Sequence, residues 1–146
     1  MTDASWKPFE LYATKFWDCA SKIRDFKQAI NLSYEYPAKV PEAIHTKHMA
    51  EIADFWDTNQ EILVELLTRA VPVKKQYLLN GYIDYLTKNL PELKTKSQSI
   101  PENGGSLSLL LRDSQKALLR IAAKLDERGR WYRVQNTKNE DTEEDI

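Results

Sequence analysis

FELYATKFWDCASKIRDFKQAI, residues 9 to 30, sets apolar side chains at Phe9, Tyr12, Phe16, Cys19, Ile23, Phe26 and Ile30, in alternating steps of three and four. Because successive helical residues turn by about 100°, such steps keep one stripe facing the same way. The stretch predicts a long helix with a heptad seam. Ser5 and Pro8 suit its first turn, and Pro37 and Pro41 end it and stiffen the connector between them. Trp17 and Ala20 widen the stripe, while Lys15, Lys22, Arg24, Asp25 and Lys27 fall largely off it. A seam this regular has to be covered, either by other helices of the same chain or by a second copy.

Working outward, residues 42 to 70 predict a second helix. One apolar face holds Ile44, His48, Ile52, Phe55, Asn59, Ile62 and Leu66, and another beside it holds Met49, Trp56, Leu63, Leu67 and Ala70. A stripe that broad touches two neighbours. Pro72 breaks or kinks the chain, and a third apolar segment follows with Tyr77, Leu78, Tyr82, Tyr85, Leu86 and Leu90, before Pro91. Residues 91 to 106 lack periodicity and collect Pro, Gly, Ser and Asn, so they read as a flexible loop. The fourth helix opens at Ser106, closes at Gly129, and carries the seam Leu107, Leu111, Ser114, Leu118, Ile121, Ala122 and Leu125.

Four amphipathic segments in 146 residues fit one domain. The expected fold is all-α: a single antiparallel bundle of about four helices over residues 1–134, with a disordered acidic tail over residues 135–146. A homo-oligomer joined through the seam of the first helix is the alternative use of that face. No run of apolar residues is long enough to span a membrane, the start lacks a signal-peptide pattern, and the single Cys19 cannot form an internal disulfide. Together these point to a cytoplasmic protein with no transmembrane segment.

The charge is uneven. Net charge is -1, yet residues 103 to 139 hold eight Lys or Arg against three acids, and the final seven residues, EDTEEDI, hold five acids. The basic part is organised: Arg112, Lys116, Arg120, Lys124 and Arg128 follow one another at intervals of four, opposite the fourth helix's seam. They run into Arg130, Trp131, Tyr132 and Arg133. Only Asp113 and Glu127 share that sector, too few acids for an ordinary mixed-charge face. An interval of four repeats about every 6 Å, close to the phosphate spacing of an extended strand, and Arg, Trp and Tyr both stack on bases and anchor protein interfaces.

Chemistry is sparsely marked. His45 and His48 lie one turn apart, with Glu42 and Glu51 a turn to either side, which is half of a carboxylate-bridged di-metal pattern whose second half is missing. No phosphate-binding loop, dinucleotide fingerprint, nucleophile elbow, H-E-x-x-H or C-x-x-C occurs. The sequence therefore predicts no catalytic residue, cofactor or metal, with metal-dependent activity at His45 and His48 left open. It favours a non-enzymatic helical adaptor or assembly protein that binds a protein partner through Arg112, Lys116, Arg120, Lys124, Arg128, Arg130, Trp131, Tyr132 and Arg133. The alternative is a small nucleic-acid backbone-binding subunit using the same residues.

Overall fold

The computed structural model describes residues 6–35, 43–97 and 100–144, with side chains described over 6–30, 43–69, 71–97 and 107–135. It is an all-α bundle of four helices: α1 (Trp6–Glu35), α2 (Ala43–Ala70), α3 (Gln76–Lys96) and α4 (Ile100–Glu144). A single 3-10 turn, Val73–Lys75, sits between α2 and α3. The connector of residues 36–42, with Pro37 and Pro41, lies outside the described residues.

The neighbours are antiparallel. Phe26 late in α1 stacks on His45 early in α2 at 5.7 Å, while Tyr12 near the start of α1 donates a hydrogen bond to Asn59 of α2 at 3.2 Å. Trp56 of α2 donates its indole N–H to Thr87 of α3 at 3.2 Å, and Lys94 of α3 pairs with Asp54 of α2. Tyr85 of α3 sits against Asp113 and Ser114 of α4. The ring closes where α4 returns beside α1, with Arg133 paired to Glu10.

The seam of α1 lies inside this bundle. Phe9, Phe16, Cys19, Ile23, Phe26 and Ile30 are all buried, and Tyr12 is half-buried against them. The chain's own helices therefore cover the apolar seam of α1. Phe16 makes edge contacts with Phe55 at 5.5 Å and Trp56 at 6.1 Å, so large rings space α1 from α2. Small residues are buried on both α1 (Ala13, Ala20) and α4 (Ala117, Ala122), and Gly129 of α4 lies directly against Phe9 of α1. It is with α4 that α1 makes its most extensive helix contact.

Several boundaries differ from the expected ones, each for a physical reason. Pro72 does separate two helices: the last turn of α2 closes at Val71, whose N–H donates to Leu67, and the chain turns before Gln76. Pro91, expected to end α3, lies inside it. Leu86, Leu90 and Leu93 continue one buried stripe across the proline, and Ser97 then closes the helix with its N–H on the Leu93 carbonyl at 3.0 Å. Burying a leucine is worth about 1.5–3 kcal/mol, enough to offset the lost N–H. With α3 running to Lys96 and α4 starting at Ile100, most of the expected loop over 91–106 is helical, and residues 98 and 99 lie outside the described residues.

Helix α4 also passes through Gly129 instead of stopping there, and no described glycine has a positive φ. The helix runs to Glu144, while the side chains past Gln135, where the disordered acidic tail was expected, lie outside the described residues. The buried stripe of α3 is Leu79, Ile83, Leu86, Leu90 and Leu93, so Tyr77 and Leu78, expected among its apolar contacts, stand exposed.

Candidate functional site: the basic edge of α4

The seam of α4 fixes everything on its other side. Leu107, Leu111, Ser114, Leu118, Ile121, Ala122 and Leu125 are all fully buried, which locks the helix in rotation. Arg112, Lys116, Arg120 and Lys124 are accordingly exposed, and Arg128 is half-buried. Steps of four overshoot a full turn by about 40°, so the row winds around the outer side of α4.

The members are not equivalent. Arg112 pairs with Asp113 at 3.1 Å, Lys124 with Glu127 at 3.5 Å, and Arg130 with Asp126. Lys116 and Arg120 have no ion pair among the described residues. Exposed pairs of this kind contribute little to stability, and they partly neutralise the positions they occupy.

Beyond Leu125 the structure divides RGRWYR between fold and surface. Tyr132 stacks on Phe9 at 5.5 Å with its ring half-buried, and Arg133 lies over the Trp6 ring at 4.1 Å while pairing with Glu10. Both side chains thus bind α4 to the start of α1. Trp131 points away and is 47% exposed. The Arg128 guanidinium lies 4.6 Å from the Trp131 ring centre and 5.3 Å from that of Tyr132, joining the buried and exposed rings. Its Nε is buried without a hydrogen-bond partner among the described residues. Among those residues the head group is held by ring faces.

The chain matches no protein-family model, no curated protein and no solved structure. Its function has to be argued from these side chains.

Clefts lie beside the described helices. A small one of about 170 Å³ is lined by Glu10, Asp126, Gly129, Arg130 and Arg133, so both acids there already have arginine partners. A larger one of about 460 Å³ lies between α1 and α2, with Cys19, Ile52 and Phe55 among its walls and Lys15, Asp18, Lys22 and Glu51 at its rim. Burial, with the Asp18 charge acting in the same direction, pushes the Cys19 thiol up to about 11. A thiol held protonated in this way is a poor nucleophile.

His45 and His48 are both half-buried, and His45 stacks on Phe26. Glu42 lies outside the described residues. Among the described residues no three His, Cys, Asp or Glu side chains converge as metal ligands, and no helix is long and apolar enough to cross a membrane.

Sequence reading missed the roles of Glu10 and Trp6, which belong to α1 but hold Arg133 of α4. Nothing local signals a partner more than a hundred residues away. It also missed the exposed outer face of α3, although a tyrosine and a glycine one turn apart there were visible in the sequence.

Proposed function

We propose that this protein is a non-enzymatic helical adaptor that receives an acidic protein surface on the outer edge of α4. Lys116 and Arg120 steer the encounter, and Trp131, held by Arg128, is the anchor. The observation that carries this reading is the exposed Trp131 ring, fixed by a stacked guanidinium beside a cationic edge. Tryptophan and arginine dominate interface energetics, and a pre-positioned ring loses little entropy when covered.

A phosphate track is less well supported. Of the row, Arg112 and Lys124 already face carboxylates, and Tyr132, which would stack a base, lies against Phe9. The remaining free cations are too few for the steep salt dependence of a backbone binder.

The test is capture of partners on immobilised full-length chain, compared with Trp131→Ala and with the double variant Lys116→Glu/Arg120→Glu, followed by salt titration of the recovered complex. Trp131→Ala should weaken the complex by about 2 kcal/mol or more. The charge reversals should chiefly slow association and flatten its salt dependence. Parallel titration with single-stranded RNA decides against the reading if RNA binds tightly and both variants lose it equally.

A further inference from the structure

The outer face of α3 carries an unusual set of residues for a helix turned to solvent. Tyr77 is 69% exposed and Leu78 56%, Gly81 follows Tyr77 by one turn, and Val73, in the 3-10 turn just before the helix, is 82% exposed. A Cβ built at Gly81 would meet nothing within 4 Å. Glycine in a helix interior is unfavourable by about 1 kcal/mol relative to alanine, and nothing in the chain's own packing requires it here. Lys74, in the 3-10 turn that leads into α3, and Asp84 on α3 are both exposed, and neither has an ion pair among the described residues.

These positions are related to one another. Tyr77 and Gly81 lie two residues to either side of position 79, and Lys74 and Asp84 lie five to either side of it. When two copies of α3 run antiparallel about a two-fold axis at that level, Tyr77 of each copy falls opposite Gly81 of the other. Lys74 of each then falls opposite Asp84 of the other. An isologous contact requires this reciprocity, since residue i must meet j wherever j meets i.

We infer that a second copy of this chain docks on the outer face of α3, with the Tyr77 ring of each copy entering the notch left by Gly81 and Lys74 pairing with Asp84 across the axis. The missing side chain at Gly81 lets the ring approach the helix backbone, and Val73 and Leu78 lose water at the margins. Helix α3 is 21 residues long, about 31 Å, so the contact is at the small end of specific interfaces and the dimer is a reversible one. This inference does not rest on the adaptor reading, because it uses none of the residues of α4.

Sedimentation velocity on the full chain across a wide concentration range is the experiment. The chain should pass from monomer to dimer, and Gly81→Leu should abolish the dimer without lowering the thermal midpoint, since the added side chain enters open space. Lys74→Asp and Asp84→Lys should each weaken dimerisation at least about tenfold, and Lys74→Asp/Asp84→Lys together should restore it. A chain that stays monomeric at every concentration overturns the inference. So does a dimer that tolerates Gly81→Leu and both single charge reversals.

Discussion

Gly129 and Gly81 are both helical glycines with opposite surroundings, and they should respond in opposite ways to an added side chain. At Gly129 a Cβ would come within 3.2 Å of the Phe9 Cβ and 3.5 Å of the Glu10 nitrogen, so α4 there lies almost on the backbone of α1. Gly129→Leu should destabilise the chain by about 2–3 kcal/mol in urea unfolding, because the close neighbour is the Phe9 Cβ, which moves only with the backbone of α1. Gly81→Ala should raise stability by about 0.5–1 kcal/mol in the monomer. Cys19 makes a separate prediction. With its thiol at about 11 against an ordinary 9.0, alkylation of the native chain at pH 8 should run about a hundredfold slower than that of the urea-unfolded chain. The sign of the linked stability follows. A thiol raised in the folded state contributes fully below pH 9, and up to about 2–3 kcal/mol is lost as pH rises from 9 through 11. Cys19→Ser unfolding curves that fall just as steeply over that window would count against Cys19 as the source.

At the level of elements, α3 shows where local signals yield to tertiary ones. The heptad seam of α1 and the leucine seam of α4 were readable because a buried stripe repeats over many turns and dominates the pattern. The end of α3 was not, because Pro91 is the strongest local breaker in the segment, while the burial of Leu93 that overrides it depends on the other helices. Tyr77 and Leu78 misled for a related reason: apolar identity alone cannot say which of two adjacent stripes is covered. Gly129 was read as a terminus on its usual conformational role, whereas its use is the close approach of α1. Pro91→Ala restores a donor to the Thr87 carbonyl without touching the buried stripe. It should therefore stabilise the chain by about 1–3 kcal/mol in thermal or urea unfolding. A loss of stability would mean that the proline sets a bend on which the packing of Leu90 and Leu93 depends.

Across the whole molecule, the bundle uses part of the basic-aromatic segment for itself and presents the rest. The composition of RGRWYR was legible as a candidate surface, but its division was not, since it depends on Phe9, Glu10 and Trp6 at the far end of the chain. Adjacent residues should therefore separate folding from binding. Tyr132→Ala removes a ring stacked on Phe9 and should cost about 1–3 kcal/mol of stability, with weakened closure of α4 on α1. Trp131→Ala removes a half-exposed ring whose intramolecular contacts are with Arg128 and the edge of Tyr132, and should cost less than about 1 kcal/mol. Under the adaptor reading the order reverses for the partner: Trp131→Ala loses the complex at temperatures where the variant is fully folded. Tyr132→Ala keeps it until the chain itself begins to open. Measuring unfolding and partner affinity on the same two variants distinguishes an anchor from a strut, because a purely structural Trp131 would lose affinity only in step with stability.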